Sequence, residues 1–219
     1  MQYTAIRMDT EKVAGKKCRG RPASFDRDQL ITQVMELFWE RGYANLSLNE
    51  VARATGLTRA SLYNAFATKE ALFLEAIEQY QAHSPERLLE DLGDDDPVGP
   101  ALYRMFDAIS QHLAADSKHR GCLAVNCMTE QLPDTTELGA ALAAMHKRKR
   151  RLFQKVIQKA IVRQELPEST GVEVCANILQ AFLNGLSVYS KNGAAEQELL
   201  AMSRTFLKNM GFVEPSASK

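Results

Sequence analysis

The chain has 219 residues, enough for one large domain or a small domain joined to a larger one, with a core that needs no disulfide or metal. Lys plus Arg and Asp plus Glu each number 27, and 45% of residues are hydrophobic, which excludes a polycation and a disordered acidic chain. No apolar run approaches the ~18 residues of a membrane span, the N-terminus carries no secretory leader, and the four cysteines fit no disulfide or zinc framework, so a cytoplasmic location is expected.

Residues 1–24 are polar and aperiodic. Over 1–27 seven basic residues face three acidic ones, a local excess of plus four that the zero total hides. A flexible basic arm of this kind, before a folded domain, suits a phosphate backbone. From Asp26 the texture becomes helical: Leu30, Val34, Leu37, Phe38 and Arg41 keep an i, i+4, i+7 period until Gly42 stops it. Ser47-Leu48-Asn49-Glu50 is a capping box that opens a second helix, which runs to Gly56. Thr58 caps a short third helix from Arg59 to about Phe66, and Lys69 opens a fourth. Two short helices across a glycine turn form a helix-turn-helix plan.

The rest also reads as helix, with no alternating strand runs and no internal repeat. Asp94 to Pro100 is a turn-rich break, after which Leu102, Phe106, Ile109 and Leu113 resume the helical period. A short apolar piece covers Gly121 to Glu130. A long amphipathic run spans about 135–163, and two more helices cover about 171–191 and 195–210. The expected fold is all-α: a helix-turn-helix domain at 25–70, a larger helical domain at 71–212, and a disordered tail at 213–219.

A helix of this kind fits the DNA major groove, where only its first residues reach base edges. Here those are Thr58, Arg59, Ala60 and Ser61. Arg59 can pair bidentately with guanine, and Ala60 can meet a thymine methyl. Ser61 and Tyr63 are placed for phosphates, and Lys69 adds charge beside helix N–H groups; Ser47 and Asn64 complete the expected contacts. In the arm, Arg19-Gly20-Arg21-Pro22 suits a minor groove, with glycine allowing a deep backbone while Arg19 and Arg21 read its negative potential. An architectural minor-groove binder is the alternative DNA reading.

The stretch from Phe25 to Ile77 resembles the DNA-binding domain of the TetR family of bacterial transcriptional regulators. The likeness rests on an ordered series: Leu37-Phe38, Gly42-Tyr43, Ser47, Val51-Ala52, Gly56-Leu57, Leu62-Tyr63, Phe66 and Lys69 to Leu72. Many members have His before the Phe of this motif; here it is Ala65, which shifts the expected polar contact to Asn64. The resemblance implies an all-helical homodimer whose last two helices form the subunit interface. It implies a palindromic operator on double-stranded DNA and a small-molecule effector that releases a repressor.

Gly121-Cys122-Leu123-Ala124-Val125-Asn126 resembles a stretch found in a subset of such regulators, beside the ligand pocket. A thiol at a helix start can react as thiolate, which leaves a redox- or electrophile-sensing repressor as an alternative. On the long run, Leu138, Leu142, Met145, Leu152 and Val156 form a stripe with Lys149 in its middle, an arrangement that suits an anionic or polar effector. The expected pocket set is Phe106, Cys122, Asn126, Met145, His146, Lys149 and Phe182. His112, His119, Cys122 and Cys127 lack the spacing of a zinc site. No cofactor is expected, and no nucleophile–base–orienter set supports an enzyme.

Overall fold

Most helices in the first half of the chain begin where the sequence supplies an oxygen to their free N–H groups. The computed structural model describes residues 26–130 and 136–215, and all regular structure within them is helical. Arg19, Arg21 and the rest of the expected arm lie outside the described residues, as does most of the expected tail. Helix α1 (Arg27–Arg41) starts at Asp26, whose carboxylate accepts from Asp28 N and Gln29 N at 3.0 and 3.3 Å. Helix α2 (Leu48–Thr55) opens on the reciprocal box, with Glu50 accepting from Ser47 N at 2.8 Å and Ser47 accepting from Glu50 N at 3.3 Å. Gly56 takes φ +70°, ψ 11°, the left-handed conformation that lets the chain turn sharply into α3 (Arg59–Ala65). Thr68 caps α4 (Lys69–Ala82).

A 3-10 turn (Pro85–Leu89) leads on to α5 (Val98–Ala115), α6 (Leu123–Thr129), α7 (Glu137–Val162), α8 (Val172–Tyr189) and α9 (Glu196–Asn209). Helix α5 begins inside the segment that reads as a break. Its N-cap is Pro97, which offers no side-chain acceptor, and the missing one arrives from far along the chain: Glu165 accepts from Val98 N at 2.9 Å and Gly99 N at 2.7 Å. Pro100 falls in the first turn, where a missing N–H costs nothing.

Two cores result. One joins α5, the second half of α7, α8 and α9 around Phe106, Phe153, Ile157, Leu179 and Leu207. The other joins α1 to α4 around Phe38, Leu46, Val51, Leu62 and Phe73, and it does not stop at residue 70. Leu123, Ala124 and Cys127 of α6 and Leu138 and Leu142 of α7 belong to it. The predicted stripe on α1 is accordingly too narrow. Ile31 and Trp39 are buried as well as Leu30, Val34 and Phe38, because the larger region packs over a second side of the helix.

Candidate nucleic-acid interface and ligand cavity

Helix α3 is held by one face only. Leu62 is buried, while Arg59, Ala60, Tyr63 and Asn64 are exposed. Thr58 accepts from Ser61 N at 3.1 Å and its hydroxyl lies 2.9 Å from that of Ser61, so these two residues fasten the start of the helix to itself. The Arg59 guanidinium sits 5.3 Å above the Tyr63 ring and donates to its hydroxyl at 3.4 Å. Ser47, Arg59, Tyr63 and Lys69 share a shallow depression of about 420 Å³ between α2, α3 and the start of α4. Thr58, Ala60, Ser61 and Asn64 lie outside that lining, and the Ser47 hydroxyl is engaged in the capping box. Lys69 rests 4.2 Å over the Tyr43 ring; burial lowers its pKa, against the pull of Glu130 and Glu50.

The second site is a cavity of about 820 Å³ where α1 and α4 meet the larger region. Cys122, Met145 and Lys149 of the expected pocket line it. Four other expected residues do not. Phe106 is wholly buried in the first core, and Phe182 stacks on Phe206 at 3.8 Å. His146 lies 2.8 Å from the Gln180 amide, and Asn126 donates to Arg120 O at 2.8 Å and accepts from Lys191 at 3.1 Å. Lys149 itself is already matched, because its ammonium donates to Glu86 at 2.5 Å. Burial works against its charge, yet Glu86 and the neighbouring Cys122 leave its pKa raised.

Sequence reasoning missed the groups that give the cavity its character. Trp39, the single tryptophan of the chain, lines it with Tyr80 and His112. Tyr80 meets the indole edge-on at 5.2 Å, and His112 stacks on it at 6.0 Å with 13° between the planes. Burial raises the Tyr80 hydroxyl well above its ordinary pKa, with Cys122 as its hydrogen-bonding neighbour. His112 opens onto the cavity yet is crowded by protein atoms, and burial lowers its pKa. Cys127, buried in the second core, is pushed up to about 12 by burial and remains a thiol. One signal was available: a large aromatic next to the α1 stripe rather than on it marks a second covered face. Among the described residues no three His, Cys, Asp or Glu side chains are gathered as a metal site.

The cavity adjoins the ties between the two regions. Arg120 lies 4.0 Å over the Trp39 ring, pairs with Asp116 at 3.0 Å and reaches Glu36 on α1. Lys118 pairs with Glu40 at 3.0 Å. Glu130, at the end of α6, accepts from Tyr43 N at 2.9 Å and Ala44 N at 2.8 Å, in the turn after α1. Gly42 has φ +80° there, and a Cβ would stand 2.7 Å from the Glu130 carboxylate, so both backbone and space require glycine. Glu70 in turn accepts from Leu138 N at the head of α7.

A short helix held by its inner face, with an exposed arginine near its start and a lysine alongside, defines a helix-turn-helix DNA-binding protein. Residues 30–76 match the family described as bacterial regulatory proteins, tetR family, and residues 99–206 match the tetracyclin repressor-like C-terminal domain. The chain is 30% identical over 194 residues to the HTH-type transcriptional repressor ComR of Escherichia coli K12, covering 88% of this chain and 92% of that one. It is 28% identical over 203 residues to the transcriptional regulator AcuR of Cereibacter sphaeroides, covering 89% and 91%. A cysteine mutant of the TetR family regulator CifR, solved with 26-bp double-strand operator DNA, superimposes with a TM-score of 0.77 at 30% identity, covering 86% of this chain and 98% of that one. The chain therefore belongs to the TetR family and is a DNA-binding transcriptional regulator. No described helix is long and apolar enough to cross a membrane.

Proposed function

We propose that the protein is a homodimeric repressor that occupies a palindromic operator and leaves it when a small molecule enters the cavity beside Trp39. The observation that carries this reading is the position of that cavity. Glu36 and Trp39 of α1 line it together with Cys122, Met145 and Lys149 of the larger region, so a ligand there touches the DNA-reading unit and its support at once. Its volume falls within the ~300–1,000 Å³ of ordinary small-molecule sites.

Dimerisation is supported by α8, which leaves Val174, Ile178, Val188 and Tyr189 exposed at 62, 45, 52 and 39%. These fall with Ala181 and Gly185 along one helical stripe, an apolar face of the kind two-fold interfaces cover. Repression is supported by ComR, described as a repressor, and operator binding by the CifR complex. Arg59 and Ala60 read bases in this scheme; Ser47, Tyr63, Asn64 and Lys69 hold phosphates, and Arg19 and Arg21 enter the minor groove.

The test is selection of bound sequences from a random duplex pool at physiological salt, since nonspecific phosphate binding weakens steeply as salt rises. An inverted repeat is the expected product. Recovery of A·T-rich DNA without dyad symmetry would favour the arm over α3 and overturn the reading.

A further inference from the structure

The charges along the cavity do not choose a sign. Lys149 pairs with Glu86 at 2.5 Å, Arg148 pairs with Glu90 at 2.7 Å, and Glu36 is engaged by Arg120. Glu78 and Arg87 have no ionic partner among the described residues, but they carry opposite charges on exposed residues, where water screens both. Selection therefore falls to the shape of the lining and to its hydrogen bonds. Trp39, Tyr80, Met35, Met145 and Cys122 all contribute to it, and aromatic faces and polarisable sulfur together favour a flat aromatic ligand.

Most polar side chains of the lining already hold a protein partner. Gln79 donates to Thr32 at 2.7 Å, His83 bonds Gln79 O at 2.9 Å, Ser187 donates to Leu183 O at 3.0 Å, and the Tyr80 hydroxyl has Cys122 as its neighbour. Glu78, Gln81, Ser84 and His112 make no hydrogen bond or ion pair among the described residues. Of these four, only His112 belongs to the aromatic group. It is an exposed residue of α5 whose ring stacks on Trp39 at 6.0 Å, so the free imidazole stands where an aromatic ligand would lie. Burial disfavours its charged form and outweighs the pull of Asp116 and Glu86, with Arg120 acting in the same direction as burial. An uncharged imidazole has one bare ring nitrogen, a strong acceptor whose best match is an O–H donor.

We propose that the cavity selects an uncharged phenol, whose ring lies among Trp39, Tyr80 and Met145 and whose hydroxyl donates to a ring nitrogen of His112. This rests on the reading of the cavity as the effector site, and it moves the polar anchor from Lys149 on α7 to His112 on α5. Lys149 keeps Glu86 as its partner and recruits no anion. Because His112 stacks on Trp39 of α1, the residue that takes the hydroxyl already touches the DNA-reading unit.

The experiment is calorimetry on the full chain without DNA, at about pH 7.5, where a phenol with pKa near ~10 is uncharged. Four probes share one ring: para-ethylphenol, para-ethylanisole, para-ethyltoluene and para-ethylbenzoate. The phenol should bind about tenfold more tightly than the anisole, which keeps the oxygen but has no proton to donate. In His112→Phe the ratio of phenol to toluene affinity should fall about tenfold while the toluene itself binds as before. His112→Gln keeps an acceptor and should restore most of the ratio. In proton NMR the His112 ring resonance, one of four histidines and assigned by its loss in His112→Phe, should shift with the phenol.

Tightest binding of the benzoate to the unaltered chain would overturn the proposal. So would a phenol-to-toluene ratio unchanged in His112→Phe, or no binding of the phenol up to its solubility limit. Should His112→Phe fail to fold, equal binding of phenol and anisole to the unaltered chain would overturn it as well. The outcome is separable from that of the operator selection: a chain that recovers no inverted repeat can still show the phenol preference, and a palindrome reader can still lack it.

Discussion

The DNA-reading surface and the cavity are built in opposite ways. Every group around the shallow depression comes from residues 44–69, a stretch that folds into two short helices and a turn. The cavity draws on Thr32 of α1 at one extreme and Ser187 of α8 at the other. A reader made from one continuous segment keeps its geometry through local caps and a left-handed glycine. A cavity made from distant segments exists only when the whole chain is folded, and its electrostatics depend on partners that no local pattern announces.

If that contrast holds, a cut in the shared core should damage both sites together. Phe38 is fully buried, with Phe73 edge-on at 4.7 Å, in the core that also takes in α6 and the head of α7. Phe38→Ala should cost about 3–5 kcal/mol in urea unfolding, with the reader and the cavity lost in one transition. Two separate transitions would mean that the second core is not shared.

A change confined to the reader should leave the cavity intact. Arg59→Ala should weaken operator binding by about 1–3 kcal/mol and relax discrimination at one base position per half-site. Trp39 fluorescence and thermal stability should not move; a shift in either would couple the two regions more tightly than the contacts indicate.

The seam offers a sharper test through pH. Burial opposes ionisation of Asp116, but hydrogen bonds from Arg120 outweigh it and leave the carboxyl below its ordinary pKa. The folded state then holds fewer protons than the unfolded chain near and below pH ~4, so this contribution is present above that range and lost as pH falls through the folded value. Arg120→Ala should lower stability by about 1–3 kcal/mol at neutral pH and flatten that acid limb. A curve parallel to that of the parent would remove Asp116 from the account. The smallest effect belongs to Ser47→Ala, about 1 kcal/mol from loss of the N-cap, with binding weakened mainly through fraying of α2.

The same contrast explains what could be read from sequence. The helix order, the capping box at Ser47, the turn at Gly56 and the exposed residues of α3 follow from short-range periodicity and turn chemistry, and the structure contains each of them. The cavity was legible only at Met145 and Lys149, which lie on the apolar stripe of the long run, and at Cys122, through the family resemblance. Glu86 escaped because it sits in a 3-10 turn 63 residues from the lysine it neutralises, and a stripe argument considers one helix at a time. Trp39 escaped because the period on α1 accounts for the core of the reader but not for the region packed over its other side. Phe106 and Phe182 fit an apolar pocket by residue type, yet they fill the first core, and period alone does not separate a wall from an interior.

The Glu130 clasp has a consequence for how this protein tolerates change. Its two acceptors meet main-chain N–H groups at positions 43 and 44, and every residue but proline supplies such a donor. Substitution at either position therefore leaves the donors in place, whatever happens to the Tyr43 ring. Replacement of Glu130 by a residue without an acceptor removes both bonds in a single step. Genetic robustness is thus distributed unequally across one joint: positions 43 and 44 can drift, while Gly42 beside them and Glu130 opposite each hang on one codon.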